Sequence, residues 1–265
     1  DHIPITVDSV HIPSTIFATI PAGLASGAYD VVVVNPDSGR SALEDGLRVG
    51  ERGDVNLDFA INVGDVVRTV GLVLRKIWPW PVYDRQAGDL NGDRFINILD
   101  VVSLIRRILG SPKPVREAMP SEPATVSLPS KANGRHIVRV PVILENPVQV
   151  AGIQLLIRYD ASAFSIGVPQ LTERSAGMWM DYYAVGPTES GDLEDGDGET
   201  YYEDWMMVIY DPSGGALAPN DGPVVQIPFE KLGSIDRVGM VKIEQVILAD
   251  TYGKSVPTNL VNKDI

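Results

Sequence analysis

The chain of 265 residues contains no cysteine. That excludes disulfides and cysteine-ligated zinc, and it leaves the redox compartment open. No run of about 18 apolar residues occurs, so no membrane-spanning helix is expected. The longest apolar runs, such as VVVV at 31–34, have the length of a strand. The opening Asp1-His2-Ile3-Pro4 has neither a basic start nor an apolar core, so no secretory leader is expected there; residue 1 reads as a cut into a longer chain. Histidine is scarce. His2, His11 and His136 lie far apart in strand-like or terminal stretches, and no nucleophile motif frames them. Carboxylates are plentiful, but nothing in the sequence pairs two of them as glycoside hydrolysis requires. An enzyme is not expected within these residues. Basic residues are outnumbered, 22 against 35 acidic, and the net charge of −13 argues against a nucleic-acid partner. The deficit is uneven: −4 over 1–50, zero over 51–110 and −9 over 111–265.

What is present is a repeated ladder of oxygen-bearing side chains. Residues 53–77 read GDVNLDFAINVGDVVRTVGLVLRKI, and 88–110 read GDLNGDRFINILDVVSLIRRILG, in register at an offset of 35. On a twelve-residue loop the first copy puts Asp54, Asn56 and Asp58 at positions 1, 3 and 5. The carbonyl of Ala60 stands at 7, Asn62 at 9 and Asp65 at 12. The second copy gives Asp89, Asn91, Asp93, the carbonyl of Phe95, Asn97 and Asp100. Alternate positions on a tight loop turn their oxygens toward one centre, and Ca²⁺ takes six to eight oxygen ligands. Simple helix capping needs one Asp per helix, not five oxygens at matching offsets. Two structural Ca²⁺ ions are therefore expected, which would bring 51–110 to a charge of +4. Position 6 of such loops is normally Gly for a sharp turn; here it is Phe59 and Arg94, so backbone strain is expected. Ile61 and Ile96 at position 8 would pin each loop to the core.

Each ladder runs into an amphipathic helix. Val66, Val70, Val73 and Ile77 make one stripe, widened by Val67 and Leu74. Val101, Ile105 and Ile108 make the other, with Val102 and Leu109 alongside. Gly110 followed by Pro112 gives the second helix a stop. WPWP at 78–81 reads as a hydrophobic plug between the helices or as a sticky patch for a partner.

These repeats resemble a dockerin domain, whose loops follow D-x-N-x-D-G-x-I-N-x-x-D with Asp at position 12. The resemblance implies a partner, a cohesin domain, bound through helix and loop residues. On this chain the matching positions are Val63, Gly64, Val70, Gly71 and Arg75 in the first repeat, and Ile98, Leu99, Ile105 and Arg106 in the second. The pairs at loop positions 10 and 11 are apolar, so a hydrophobic contact is expected.

Residues 111–123 form a Pro-rich connector. Beyond it, HIVRVPVIL (136–144), AGIQLLIRY (151–159), WMMVIYD (205–211), PVVQIPFEKL (223–232) and VKIEQVILAD (241–250) read as strands punctuated by Gly and Pro. They predict a β-sandwich or jelly roll over 124–265. Val140-Pro141-Val142, Val150-Ala151-Gly152-Ile153-Gln154-Leu155, Tyr159-Asp160-Ala161-Ser162 and the closing VILADTYGKSV resemble a cohesin. The run ESGDLEDGDGETYYED at 189–204 reads as a solvated loop, a third Ca²⁺ site or an acidic contact. Residues 1–50 read as strands. Pro21-Ala22-Gly23-Leu24, Gly27-Ala28-Tyr29-Asp30-Val31 and Asn35-Pro36-Asp37 resemble the C-terminal half of an IPT/TIG immunoglobulin-like domain.

The fold expected is mainly β: an Ig-like fragment over 1–50, a small helical dockerin over 51–110, a linker over 111–123 and a cohesin-like sandwich over 124–265. The function implied is calcium-dependent, non-catalytic assembly outside the cell or at its surface, in complexes that degrade polysaccharide. The partner would be a cohesin of another chain or a second copy of this one. An ancillary part of a secreted polysaccharide-degrading enzyme, or a carbohydrate-binding adhesin using Trp179, Tyr182, Tyr183, Tyr201, Tyr202 and Trp205, is the alternative. The connector of about 13 residues reaches roughly 40 Å. Its stiffness predicts that the helical pair meets a sandwich on another molecule rather than its own.

Overall fold

The structure is a computed structural model, and it describes residues 3–11, 15–110, 122–129, 136–187, 201–232 and 240–262. Residues 111–121 of the connector and 189–200 of the acidic run lie outside the described residues, so the readings placed on those stretches do too. The chain divides into two compact units, one of 1–51 with 57–60 and one of 52–56 with 61–265.

The first unit holds two antiparallel hairpins in separate two-stranded sheets. β1 (Thr6–His11) pairs with β2 (Thr15–Thr19), and β3 (Gly27–Val34) pairs with β4 (Arg40–Val49). The β-branched runs form strands as their composition dictates. Among the described residues, none before Gly53 is buried. Two separate ribbons have no second layer to pack on, which is why so many of their apolar side chains remain in water.

The second unit starts with three helices. α1 (Val63–Val73) and α3 (Ile98–Ile108) follow the two ladders, and α2 (Val82–Gly88) lies between them. α1 stops earlier than the Val66-to-Ile77 stripe predicts. Leu74 is its cap, Arg75 takes φ +58°, and the Lys76 amide donates to the Gly71 carbonyl at 3.0 Å. That is a left-handed helix stop made without glycine. The WPWP stretch divides its labour. Trp80 packs on the core and donates Nε1–H to the Leu72 carbonyl at 3.0 Å, whereas Trp78 is exposed beneath the Arg75 guanidinium.

The remainder is a two-sheet sandwich. Its strands are β5 (Ala124–Ser127), β6 (Ile137–Asn146), β7 (Gly152–Asp160), β8 (Phe164–Ile166), β9 (Gln170–Leu171), β10 (Trp179–Pro187), β11 (Tyr202–Tyr210), β12 (Asn220–Lys231), β13 (Val241–Ala249) and β14 (Thr258–Val261). One sheet runs β10-β11-β7-β13. The other runs β14-β5-β6-β12-β8, with β9 also on β12; only β14 and β5 are parallel. Alternation along each strand sends Ile153, Leu155, Ile157, Met207, Ile209 and Leu248 into the core between the sheets. The chain is mainly β, as its composition and punctuation predict. Tyr182 and Trp205 stack at 5.3 Å and pack, half-buried, against that core.

The opposite face of β7 decides where the helices lie. Gly152, Gln154 and Leu156 point away from the sandwich core, beside Met206, Val208 and Tyr210 of β11 and Ala249 of β13. These residues join the helices in a second core with Val66, Val70, Val73, Val101, Val102 and Ile105. An antiparallel sheet ordinarily leaves one face to solvent; this one is buried on both over much of β7.

Candidate metal centre and docking face

Both ladders place their position-12 aspartate on the first turn of a helix. Asn62 and Asn97 are the N-caps, with side-chain oxygens accepting from the amides of Gly64 at 2.7 Å and Leu99 at 2.8 Å. Asp65 and Asp100 close the capping boxes from N3. The sequence reading makes both asparagines metal ligands; in the structure their side-chain oxygens also cap the helices.

The two N3 carboxylates organise their loops in the same way. Asp65 Oδ1 accepts from the amides of Val55 (2.7 Å) and Asn56 (3.1 Å), and Oδ2 from that of Asn62 (2.9 Å). Asp100 Oδ1 accepts from Leu90 (2.9 Å) and Asn91 (3.3 Å), and Oδ2 from Asn97 (3.0 Å). In the second loop Asp89 accepts from the amides of Gly92 and Arg94, and Asp93 from that of Phe95. In the first, Asp58 accepts from Ala60. A carboxylate has about four lone-pair sites, so these bonds orient the group and leave capacity for a cation.

Three carboxylates converge in the first loop. Asp54, Asp58 and Asp65 each offer an oxygen within 4.8 Å of the others, and two of the three are buried. Among the described residues this is the one such group. In the second loop burial pushes the Asp100 carboxyl up to about 6, against the pull of three backbone amides, and Asp93 adds a smaller repulsion. An all-oxygen donor set with excess negative charge fits a hard cation such as Ca²⁺ and does not suit a soft one. The position-6 residues bear out the expected strain, with Phe59 at φ +68° and Arg94 at φ +74°. Ile96 is buried at position 8, and Ile61 packs against the same core.

α3 lies on the outer face of the four-stranded sheet of the same chain. The Ile98 amide donates to Gln154 Oε1 at 3.0 Å, inside a buried setting. Gly152 lets the helix approach: a Cβ there would stand 2.6 Å from Ile98 Cγ1 and 2.8 Å from Val102 Cγ2. Gly253, in the turn after β13, would place a Cβ 2.9 Å from the Leu99 carbonyl oxygen, and Gly214 would place one 2.7 Å from Leu109 Cδ1. The Arg106 guanidinium sits 4.7 Å over the Tyr252 ring. Lys76 reaches Asp181 of β10 at 3.7 Å. Beyond the apolar patch the sheet face turns ionic, with Arg158 bidentate to Asp204 at 2.8 Å and also bonded to Glu244.

This arrangement overturns the expectation that the connector keeps the helices off their own sandwich. A reach of roughly 40 Å is ample for a helix to return to a neighbouring sheet, and stiffness does not forbid that. Of the expected partner-binding residues, Ile98, Leu99 and Arg106 meet the sandwich, and Ile98 is fully buried. Ile105 and Val70 are buried in the shared core cluster. Val63 is 59% exposed, Gly64 and Gly71 are half-buried, and Arg75 stacks on Trp78. Sequence reasoning missed Gly152, Gln154, Tyr252 and Gly253. The available signal was the run AGIQLLI, apolar on both faces of the strand except at Gln154, where a sheet needs only one buried face.

Comparison with known proteins adds the following. No curated protein sequence matches the chain. Among solved structures, the sixth cohesin of scaffoldin B from Acetivibrio cellulolyticus, crystallised with a dockerin, is similar at 12% identity and a TM-score of 0.40, over 54% of this chain and 100% of that one. A non-cellulosomal cohesin from the archaeon Archaeoglobus fulgidus is similar at 19% identity and a TM-score of 0.37, over 52% of this chain and 86% of that one. The OlpC cohesin, from a type I cohesin–dockerin complex of Clostridium thermocellum, is similar at 16% identity and a TM-score of 0.40, over 57% and 100%. Residues 52–109, which hold both ladders and all three helices, match the family model of the dockerin type I domain.

Proposed function

We propose that the chain is a non-catalytic, calcium-dependent assembly module of the dockerin–cohesin type, working outside the cell or on its surface. In this reading 51–110 is the dockerin and 124–265 the cohesin-like receiver. Residues 111–123 join them, and 1–50 is the C-terminal half of an IPT/TIG Ig-like domain. The observation that carries it is the seating of α3 on the outer sheet, where the Ile98 amide meets Gln154 and three glycines clear the helix's path.

Asp54, Asn56, Asp58, Ala60, Asn62 and Asp65 would hold one Ca²⁺, and Asp89, Asn91, Asp93, Phe95, Asn97 and Asp100 a second. The ions neutralise carboxylates whose repulsion otherwise opposes loop closure, so metal binding supplies folding free energy to a small helical core. Loading turns 51–110 to +4 against −9 for 111–265, which favours their encounter. The partner is a cohesin domain of another chain or a second copy of this one. Copies joined head to tail through this unlike pair of surfaces would make an open chain, in the setting of polysaccharide-degrading complexes. Titrating calcium chloride into the metal-free chain in a calorimeter tests the reading. Two equivalents of binding are expected, and absence of heat at both loops would overturn it.

A further inference from the structure

The two loop–helix repeats are equivalent in sequence but not in surroundings. Ile98 and Val102 of α3 are 0% and 4% exposed, while Val63 and Val67, 35 positions earlier on α1, are 59% and 61% exposed. The difference is the sandwich, which covers this face of α3 and not the same face of α1. The covered contact is also complete. Gln154 is buried and bonds both the Ile98 amide and Met206 Sδ, Gly152 and Gly253 admit helix atoms where a side chain would collide, and Arg106 caps the Tyr252 ring. The sheet face that would receive a dockerin helix is filled by the chain's own.

We propose that α3 is an intramolecular clasp: it occupies the receiving face of its own sandwich and shuts that face to the same helix from a second copy, so that copies join only after the clasp opens. This rests on the assembly reading above. A short tether gives the internal helix an effective concentration of about millimolar, so a free helix at micromolar concentration competes at a disadvantage of about a thousandfold.

Complementary variants test it. Ser103→Arg damages the helix side; the equivalent position on α1 is Arg68, so an arginine there suits the helix while driving it into the turn at Gly253. Gly152→Leu damages the sheet side. In Ser103→Arg the receiving face is open, and in Gly152→Leu the helix is free. Both full-length chains are mixed in calcium chloride and followed by analytical ultracentrifugation, with circular dichroism of each chain as the folding check. Val102→Arg and Gln154→Arg serve as second variants for either side. A 1:1 complex of the two variants is expected, with wild type binding either one at least about a hundredfold more weakly. Wild type binding Ser103→Arg as tightly as Gly152→Leu does would overturn the clasp and leave the assembly reading standing. Failure of the two variants to associate would overturn the assembly reading and the clasp with it.

Discussion

The Ile98 backbone amide and the Gln154 side chain, 56 residues apart, meet at 3.0 Å in a buried setting. Ile98 is the first residue of α3, where amides lack intrahelical partners. Gln154 is a polar side chain on an otherwise apolar stretch of β7. The pair ties the end of the second loop to the sandwich, and the predictions below follow from that tie and from the loops behind it.

Replacing Gln154 with Leu should leave the Ile98 amide buried and unsatisfied. The expected loss is about 1–3 kcal/mol of docking stability. Hydrogen exchange should show faster exchange across α3 while the inner residues of β6 and β12 keep their protection.

Arg94 and Phe59 hold left-handed backbone at φ +74° and +68°. An L-residue with a side chain is disfavoured there by roughly 1–2 kcal/mol. Arg94→Gly, and separately Phe59→Gly, should each recover about 1 kcal/mol in chemical denaturation with calcium present, offset in part by the entropy of a freer unfolded chain. The loop that receives the glycine should also bind calcium more tightly.

Asp65→Ala removes the acceptor of three backbone amides in the first loop. Calcium stoichiometry by calorimetry should fall from two to one. The Ile98–Gln154 contact belongs to the other repeat, so Met206 should stay shielded in calcium.

The pH response follows from Asp100. Burial raises its carboxyl to about 6, from an unfolded value near 4. The metal-free fold therefore favours the protonated form. This contribution to stability is present below about pH 4 and is lost as pH rises through about 6. Calcium needs the charged form, so protons compete with it as pH falls. Without metal, thermal melts should show more stability at pH 5 than at pH 7.5. With calcium the order should reverse, and Asp100→Asn should flatten the metal-free difference.

Much of this was legible in the residues. The ladders, the apolar stripes of α1 and α3 and the alternating strands announced themselves because each follows a short period that backbone geometry imposes. What escaped is non-local or conformational. The stripe through Ile77 overran α1 because Arg75 stops the helix in a left-handed conformation that a sequence rarely signals without glycine. Val67 and Val102 occupy equivalent positions, yet one is exposed and the other buried. No feature of either helix foretells that difference, because it depends on which helix the sandwich reaches. Helix α2 escaped because seven residues carry too little periodicity to separate from a loop. The roles of Gly152 and Gly253 could not be read because a glycine records only that something comes close, not what.

The most direct test uses neighbouring methionines on opposite faces of β11. Met206 lies in the core shared with the helices and Met207 in the core between the sheets. Dilute hydrogen peroxide followed by peptide mass spectrometry reports the oxidation of each. With calcium both should resist; with EDTA Met206 should oxidise at least about tenfold faster while Met207 stays protected. Equal protection of Met206 with and without calcium, or rapid oxidation of Met206 in calcium, would contradict a calcium-set helix docked on its own sandwich.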